Sequence, residues 1–246
     1  MSVPKLETIE ITLFETGVAE IAFNRPQRYN ALSPQAYADW LEAIRWAAND
    51  DRAKVTVLTG RGKYYTSGQE LAFPEASDDP QAEMNRRAKI TEYESPSIGF
   101  GTTTLALCDV IYSVPHATFA TPFMKLGFCA EGCSSVLFPR IMGRSKANEM
   151  LLMGKTFTAE ELEKCSFLSR LLPAEGFREQ VLALAEESAK FSVEAMKVTK
   201  GLIRDVDREL LEKTNEIEMK CLIERMMSPD SLESIMKFLA HLCANS

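Results

Sequence analysis

Residues 117–135 read ATFATPFMKLGFCAEGCSS and place a single acid, Glu131, among small and apolar residues. The first part, ATFATP, has the composition of a short strand, and the chain beyond Gly132 is mainly helical in pattern. The residues alone leave three interpretations of Glu131: a reagent for proton transfer, a metal ligand, or a first-turn carboxylate that stabilises the start of a helix.

Two cysteines flank this acid and prompt the metal interpretation. Cys129 and Cys133 are four residues apart and would share a helix face, but no His or second Cys pair stands nearby to complete four zinc ligands. We therefore predict packed thiols and no metal. The chain has two histidines and no glycine-x-serine-x-glycine motif, which disfavours a serine hydrolase and leaves His116 as a surface turn residue.

The composition is that of an ordinary globular protein, with 46% hydrophobic residues in a chain of 246. A formal charge of -7 disfavours general binding to nucleic acid or anionic membranes, since both require an excess of Lys and Arg. No apolar run has the roughly 18 to 20 residues that span a bilayer, and the N-terminus has no signal-peptide pattern. The six cysteines lack framework spacing, so we expect reduced thiols in an intracellular protein.

The N-terminal sequence predicts a hairpin followed by a parallel strand. IEITLFE (9–15) and VAEIAFN (18–24) are rich in β-forming residues and are separated by Thr16–Gly17, a turn signal. KVTVLTG (54–60) has the pattern of a buried strand. Because a helix separates the second and third strands, the segment predicts a parallel βαβ unit and hence an α/β fold.

The helix between these strands has clear start signals. Ser33 is a predicted N-cap, and Pro34 stands at the first helical position. The apolar period of the helix predicts one buried face. Its members are Tyr37, Leu41, Ile44 and Ala48.

The second half of the chain is mainly helical in pattern. Thr158 and Glu161 form a capping box. Amphipathic helices follow, and the last of them starts at Ser228–Pro229. We therefore predict a core domain over residues 1–174 and a helical C-terminal region over residues 175–246.

Two glycine turns precede the stretch that contains Glu131. GKYYTSGQEL (62–71) follows a predicted strand, and SPSIGFGTTTLALCD (95–109) has a glycine turn that opens a short buried helix. Such turns can direct backbone N–H groups into a common cleft, where they stabilise a developing oxyanion. A carboxylate in apolar surroundings has a raised pKa, which suits proton abstraction near neutral pH. The glycine turns thus favour the reagent interpretation, while a helix-start role for Glu131 stays open.

Several segments, taken as a set, resemble the crotonase superfamily of enoyl-CoA hydratases and isomerases. The set comprises NRPQRYNALSPQ (24–35), TSGQEL (66–71), LCDVIYS (107–113) and GRSKANEMLLMGKTFTAEEL (143–162). The stretch ATFATPFMKLGFCAEGCSS is most similar to the branch of peroxisomal-type 3,2-trans-enoyl-CoA isomerases. The resemblance implies an α/β fold with a crotonase-like ββα spiral core and a helical C-terminal trimerisation region, and hence a homotrimer or a dimer of trimers.

The resemblance also implies roles for individual residues. In this branch the acid of the EGCSS stretch is the catalytic base, which is Glu131 here. The oxyanion hole consists of two backbone N–H groups, those of Gln69 and Phe100. The two glutamates that hydratases of the superfamily use correspond to Thr103 and Phe123, neither of which transfers a proton usefully. That pattern favours an isomerase over a hydratase.

The implied reaction converts a 3-enoyl-CoA to a 2-trans-enoyl-CoA by moving a proton from C2 to C4, as in fatty acid β-oxidation. The substrate is an acyl-CoA thioester, and no cofactor is expected because coenzyme A is part of the substrate. Arg25 and Arg28 are candidates for binding the CoA phosphates, although solvation at the surface explains them equally well. The resemblance implies a peroxisomal location, but the C-terminal CANS (243–246) is not an SKL-type signal, so a cytoplasmic location stays open.

Two alternatives to the isomerase stay open at the level of sequence. Where the family has a strand before the second oxyanion turn, this chain has ITEYESPS (90–97), and the segment between TSGQEL and SPSIGFG is shorter than in the family. This difference prompts the alternative of a catalytically inactive acyl-CoA-binding paralogue. The other alternative is a crotonase-fold enzyme that acts on another acyl-CoA, for example in secondary metabolism, because one fold hosts several reactions.

Overall fold

The computed structural model describes residues 1–69 and 100–244, so the segment ITEYESPS (90–97) lies outside the described residues. The strands are β1 (Ile9–Leu13), β2 (Val18–Phe23), β3 (Val55–Gly60), β4 (Tyr112–Ser113), β5 (Thr118–Phe119), β6 (Phe157–Thr158) and β7 (Arg170–Leu171). The helices are α1 (Pro34–Asn49), α2 (Phe100–Thr103), α3 (Ser134–Met142), α4 (Arg144–Leu151), α5 (Ala159–Lys164), α6 (Phe177–Ala189), α7 (Val193–Arg204), α8 (Arg208–Met226) and α9 (Pro229–Ala244). Of these helices, none within the described ranges has the length and apolar character needed to cross a membrane.

The described residues form two compact units. The first contains residues 1–69 and 172–208, and the second contains residues 100–171 and 209–244. Both units therefore combine an early and a late segment of the chain. The division at residue 174 that the sequence indicates is a division along the chain, and it stays a prediction.

The first unit contains a three-stranded sheet in the order β1-β2-β3. β1 pairs with β2 in antiparallel fashion, with Ile11 opposite Ile21, and β2 pairs with β3 in parallel, with Ile21 opposite Leu58. The turn between β1 and β2 contains Gly17, whose φ of 91° lies in the region that favours glycine. The predicted hairpin and the predicted parallel βαβ unit are both confirmed.

Helix α1 connects β2 to β3 and starts where the sequence predicts. The Ser33 hydroxyl accepts a hydrogen bond from the Ala36 N–H at 3.3 Å, and Pro34 is the first helical residue. The predicted buried face is wrong, since Leu41 on that face is 47% exposed. The buried residues of α1 are Ala36, Asp39, Ala43 and Trp46.

Asp39 explains this rotation of α1. Its Oδ2 accepts hydrogen bonds from both the N–H and the hydroxyl of Thr8, each at 2.7 Å, and all of these groups are buried. Thr8 directly precedes β1, so the pair ties the helix to the edge of the sheet. A satisfied buried carboxylate therefore faces the sheet, where the apolar period predicts only hydrophobic side chains.

A second buried carboxylate joins the sheet of the first unit to helix α6. Glu20 in β2 is 0% exposed, and its oxygens accept hydrogen bonds from Arg61 at 3.0 and 2.9 Å and from Arg178 at 2.7 and 2.6 Å. Although burial by itself raises the pKa of Glu20, hydrogen bonds from Arg178 and Arg61 hold that pKa below its usual value. The cluster therefore links strand β2, the end of β3 and helix α6 through one carboxylate.

The core of the second unit is built from aromatic side chains on short elements. Phe123, Phe138 and Phe157 are fully buried, and the rings of Phe138 and Phe167 meet edge to face with centroids 5.1 Å apart. β4 pairs with β7 in parallel, and β5 pairs with β6 in antiparallel fashion. β6 leads into α5, where the predicted capping box at Thr158 is confirmed.

The C-terminal series of helices that the sequence predicts is present as α6 to α9. Helix α9 starts at Pro229, and the Ser228 hydroxyl accepts from the Ser231 N–H at 3.2 Å, as expected for an N-cap. The Ser231 hydroxyl donates in turn to the Leu126 carbonyl at 3.1 Å. Within the second unit, this bond ties α9 to the turn Met124–Leu126, which precedes Glu131.

Candidate active site

Glu131 lies just before helix α3 and is only 3% exposed. Burial raises the pKa of Glu131 from 4.5 to about 8, although a hydrogen bond from Thr103 works in the opposite direction. The negative charge of Glu218 adds to the increase. A carboxyl group with this pKa exchanges protons readily near neutral pH, as a general base must.

The backbone after Glu131 turns through two consecutive left-handed residues. Gly132 has a φ of 64° and Cys133 a φ of 61°, which is uncommon for a residue with a side chain. A Cβ atom at Gly132 would lie 3.0 Å from Oγ1 of Thr103, so this close approach requires glycine. Ser134 closes the turn, because its N–H and its hydroxyl both donate to the Glu131 carbonyl, at 3.2 and 2.6 Å.

Thr103 contacts the Glu131 carboxylate directly. It is the last residue of helix α2 and is buried, and its hydroxyl donates to Oε1 of Glu131 at 2.8 Å. The sequence assigns Thr103 only the place of a missing hydratase glutamate. In the structure it fixes the orientation of the predicted base.

Another buried carboxylate, Glu218 of helix α8, contacts the same turn. It is 6% exposed, and it accepts hydrogen bonds from the Cys133 N–H at 2.7 Å, the Ser135 N–H at 3.0 Å and the Ser135 hydroxyl at 2.5 Å. These donors belong to the N-terminus of α3, so Glu218 caps that helix from a distant part of the chain. The helix-start role considered for Glu131 thus belongs to Glu218.

Phe100, the predicted second oxyanion donor, is the first residue of helix α2 and is buried. Its N–H lies at the N-terminus of the helix whose last residue, Thr103, binds Glu131. Its carbonyl accepts the Thr104 hydroxyl at 2.5 Å. Phe100, Thr103 and Glu131 therefore belong to one unit and are linked through a single short helix.

Gln69, the predicted first oxyanion donor, forms a parallel bridge with Leu32 in the first unit. The Leu32 N–H donates to the Gly68 carbonyl at 2.9 Å. In a planar trans peptide the carbonyl and the following N–H point in opposite directions, so the Gln69 N–H points away from Leu32. The side-chain carbonyl oxygen of Gln69 is buried and has no hydrogen-bond partner within residues 1–69 and 100–244.

Asn30 organises the loop that leads to Gln69. It is buried and left-handed, with a φ of 56°. Its side-chain NH2 donates to the backbone carbonyls of Arg61 and Tyr64 at 2.9 and 2.7 Å. Its backbone carbonyl accepts a hydrogen bond from the Thr66 hydroxyl at 2.7 Å. The NRPQRYNALSPQ segment therefore contributes the residue that holds the loop between Arg61 and Thr66 in place.

The two predicted CoA-binding arginines have different surroundings. Arg28 is exposed, whereas Arg25 is half-buried and its guanidinium donates to the Ala31 carbonyl at 2.7 Å. Arg28 is thus more accessible to a phosphate, while Arg25 also supports its own loop. Both arginines and Gln69 belong to the first unit, whereas Glu131 belongs to the second.

The cysteines beside Glu131 are packed thiols. Burial raises the pKa of Cys129 and of Cys133 to about 11, so both keep their protons at neutral pH. The Cys133 thiol donates to the Leu211 carbonyl at 3.3 Å. In the part of the chain that the structure describes, no three His, Cys, Asp or Glu side chains form a group that could hold a metal ion, and His116 is exposed.

The stretch around Glu131 is part of a match that extends over nearly the whole chain. Residues 13–244 match the sequence pattern of the family described as enoyl-CoA hydratase/isomerase. The chain belongs to this family. The range that matches the enoyl-CoA hydratase/isomerase family includes Gln69, Phe100 and Glu131.

Two curated members of the family illustrate the similarity in sequence. Enoyl-CoA delta isomerase 2 of Rattus norvegicus is 36% identical over 242 residues, which are 92% of this chain and 62% of the rat protein. Enoyl-CoA delta isomerase 3, peroxisomal, of Mus musculus is 33% identical over 242 residues, which are 92% of this chain and 76% of the mouse protein. The chain thus spans less than two thirds of the length of the rat relative.

A solved structure illustrates the similarity in fold. The crystal structure of an enoyl-CoA hydratase/isomerase from Pseudoalteromonas atlantica T6c matches with a TM-score of 0.83 at 27% identity, covering 96% of this chain and 98% of that chain. The predicted α/β fold class with a crotonase-like core is therefore confirmed.

Sequence reasoning singled out Glu131 as the candidate acid but missed the side chains that contact it and its turn. Thr103, Glu218 and Asn30 act through contacts with residues far away in the sequence. No local sequence pattern points to Glu218, whose place on the buried face of α8, four residues from Thr214 and from Leu222, is visible only in the structure.

Proposed function

We propose that this chain is an acyl-CoA double-bond isomerase that converts 3-enoyl-CoA to 2-trans-enoyl-CoA. The observation that carries the proposal is Glu131, a buried carboxyl group whose pKa is raised to about 8. One group must accept a proton at one carbon and return it at another, so its pKa has to suit both steps near neutral pH. The relatives named enoyl-CoA delta isomerase support the same reaction.

In the first step, ionised Glu131 removes a proton from C2 of the substrate. C2 lies between the thioester carbonyl and the C3=C4 double bond, so its deprotonation spreads negative charge over the carbonyl oxygen, C2 and C4. The backbone N–H groups of Gln69 and Phe100 are assigned to the thioester oxygen, as the resemblance implies. Each donor of this type typically lowers the barrier by about 2.7 to 4 kcal/mol.

In the second step, protonated Glu131 returns the proton to C4, and the double bond forms between C2 and C3. The Thr103 hydroxyl can donate to a carboxylate oxygen or to the carbonyl oxygen of the protonated group, so the carboxyl group stays oriented through both steps. Only a proton changes place in this reaction. The proposed chemistry therefore uses no cofactor, since coenzyme A is part of the substrate.

Isomerisation is favoured over hydration by the two positions at which hydratases of the superfamily use glutamates. Thr103 carries a hydroxyl that is bonded to Glu131, and Phe123 is packed in the core of the second unit. Neither side chain can activate a water molecule for addition. A second acid–base group, which hydration would need, is not supplied at these positions.

The proposal extends to the surroundings of the reaction. The phosphates of the acyl-CoA would bind Arg28 and Arg25, and the protein would assemble as a homotrimer or a dimer of trimers through its C-terminal helices. We place the reaction in fatty acid β-oxidation. The name of the mouse relative supports a peroxisomal location.

The test is a coupled assay of 3-enoyl-CoA isomerisation with the wild type and Glu131→Gln. Glutamine keeps the size of the side chain and can accept the Thr103 hydrogen bond, but it takes up no proton. We expect kcat to fall roughly 100- to 10,000-fold, the usual contribution of a general base. Glu160→Gln, at an exposed glutamate in helix α5, is the matched control and should keep the wild-type kcat.

Three results would contradict the proposal in different ways. Equal turnover by the wild type and Glu131→Gln would refute the role of Glu131. Rapid addition of water to a 2-enoyl-CoA would identify a hydratase. Binding of acyl-CoA without any turnover would identify an inactive paralogue.

A further inference from the structure

We infer that Glu218 is a positioning residue for Glu131, a role that rests on the proposed function. The Glu218 carboxylate holds the left-handed turn between Glu131 and helix α3, and it places a negative charge near the base. Glu218 lies on helix α8, far from Glu131 in the sequence. The C-terminal helical region would thus take part in tuning the reaction.

Both oxygens of the Glu218 carboxyl group accept hydrogen bonds from the turn and from the start of helix α3. Its Oε2 accepts the Cys133 N–H at 2.7 Å, and its Oε1 accepts the N–H and the hydroxyl of Ser135 at 3.0 and 2.5 Å. Backbone N–H groups can only donate, so both oxygens act as acceptors. An anion at the N-terminus of α3 also interacts favourably with the helix dipole.

The contact with Cys133 matters because this residue has a φ of 61°. A left-handed conformation is strained for a residue with a side chain, so the turn depends on contacts that hold it. Cys133 meets α8 twice, through its N–H at Glu218 and through its thiol at the Leu211 carbonyl. Since Cys133 follows Glu131 by two residues, a shift of this turn would move the base.

The charge of Glu218 acts on Glu131 as well. After burial, which has the larger effect, Glu218 is a further cause of the raised pKa of Glu131. A like charge disfavours the ionised form of its neighbour and so makes that neighbour a stronger base. Glu218 therefore influences both the position and the basicity of Glu131.

The other polar groups around Glu131 come from three elements. On its own turn, the Cys133 thiol is neutral at neutral pH, because burial raises its pKa to about 11. From α2, the Thr103 hydroxyl lowers the pKa of Glu131 through its hydrogen bond. From α8, Arg225 donates to the Gly127 carbonyl at 2.9 Å and pairs with Asp230, and it is not among the causes of the shifted pKa of Glu131. Among these groups, Glu218 supplies the like charge.

Two substitutions separate position from charge in the isomerase assay. Glu218→Gln keeps the length of the side chain, removes its charge and replaces one acceptor oxygen by an NH2 group that faces a backbone N–H, so kcat should fall and the acid limb of the kcat/KM profile should also move to lower pH by about one unit. Glu218→Asp keeps the charge but withdraws it from the N–H groups. For Glu218→Asp we expect kcat to fall roughly 10- to 100-fold with a smaller shift of the profile.

A matched control and a measurement without substrate complete the experiment. Glu216 is exposed on the same helix, and Glu216→Gln should change neither kcat nor the pH profile. Titration of the glutamate carboxyl signals by ¹³C NMR follows Glu131 directly, with the spectrum of Glu131→Gln as the assignment. Thermal unfolding reports whether each variant is folded.

The outcomes distinguish this inference from the proposed function. A folded Glu218→Gln protein with the wild-type pH profile and the wild-type Glu131 titration would overturn the role of Glu218. A wild type that does not isomerise 3-enoyl-CoA would refute the proposed function, and the NMR titration would still decide whether Glu218 acts on Glu131.

If Glu218→Gln does not fold, Ser135→Ala removes one hydrogen bond to Glu218. That variant should lose roughly two- to fivefold in kcat, and an unchanged kcat would overturn the inference.

Discussion

The ionised form of Glu131 has lost most of its contact with water, because the side chain is almost completely buried. Its pKa is raised from 4.5 to about 8, so the folded protein binds this proton more tightly than the unfolded chain does. The free energy of unfolding therefore falls as the pH rises from about 4.5 to about 8. We predict that Glu131→Gln, which stays neutral, is more stable than the wild type by roughly 2–3 kcal/mol at pH 7.

Urea unfolding at pH 4.5 and at pH 7 measures this difference. The gain in stability should be present at pH 7 and nearly absent at pH 4.5, where Glu131 is protonated in the folded protein. Glu160→Gln, at an exposed glutamate, should follow the wild type at both pH values. A Glu131→Gln protein that is less stable than the wild type at pH 7 would contradict the cost assigned to ionising Glu131.

The sequence singles out Glu131 as a candidate, whereas the side chains that contact it and its turn could not be identified from the sequence. Its neighbours are small and apolar, and the resemblance assigns its role. The hydrogen bonds that hold it and its turn in place connect residues separated by 28 positions, for Thr103, and by 85 positions, for Glu218 and Cys133. The sequence also left open a helix-start role for Glu131, and only the structure shows that Glu218 has that role.

At the scale of elements, the left-handed turn before α3 depends on a glycine. Gly132 has a φ of 64°, and a Cβ atom there would lie 3.0 Å from Oγ1 and 3.1 Å from Cβ of Thr103. Gly132→Ala adds backbone strain of roughly 1–2 kcal/mol and also displaces Thr103, the residue that holds Glu131. We predict a loss of stability of roughly 2–4 kcal/mol together with a loss of isomerase activity of about tenfold or more.

The control for this substitution is Gly154→Ala. Gly154 has nearly the same φ, 62°, but the nearest atom to its Cβ position is Cε of Lys125 at 3.9 Å. This control should show the backbone strain alone and keep its activity. Urea unfolding measures the loss of stability, and the isomerase assay measures the loss of activity. Equal losses for Gly132→Ala and Gly154→Ala would rule out the contact with Thr103 as the cause.

Local signals predicted where elements start, but not how they are oriented. The caps at Ser33 and Thr158 depend on residues three positions away in the sequence, so they could be recognised directly. The rotation of α1 could not, because it depends on the hydrogen bonds between Asp39 and Thr8. A polar contact over a long sequence distance overrides the apolar period of that helix.

At the scale of the whole molecule, Glu20 joins segments that are far apart in the chain. Burial raises the pKa of Glu20, but the hydrogen bonds from Arg178 and Arg61 lower it more, so the folded protein binds this proton less tightly than the unfolded chain. Its stabilising effect is present above about pH 4.5 and is lost as the pH falls through the lower pKa of the folded state. We predict that Glu20→Gln destabilises the protein by roughly 2–4 kcal/mol at pH 7.

Urea unfolding between pH 3 and pH 7 tests this prediction. The difference in the free energy of unfolding between the wild type and Glu20→Gln should shrink below pH 4.5. The matched control is Glu10→Gln, since Glu10 is partly exposed and binds the same Arg61 at 2.6 Å. Glu10→Gln should lower the free energy of unfolding by less than about 1 kcal/mol. Equal losses for the two variants would contradict the importance of the buried carboxylate.

The order of segments within the two units could not be predicted from local patterns. Residues 172–208 join residues 1–69, and residues 209–244 join residues 100–171, through contacts such as that between Glu20 and Arg178. Helix and strand periods carry no information about such pairings. The resemblance to a family did predict the fold class, because it compares the whole chain at once.

Cys129 and Cys133 flank Glu131 and keep their protons, because burial raises the pKa of each thiol to about 11. The product of the proposed reaction, a 2-trans-enoyl thioester, is a conjugated electrophile, and thiolates add to such compounds at C3. With this pKa only about one thiol in a thousand is ionised at pH 8. The packing around Glu131 would thus shield the protein from alkylation by the product of the proposed reaction.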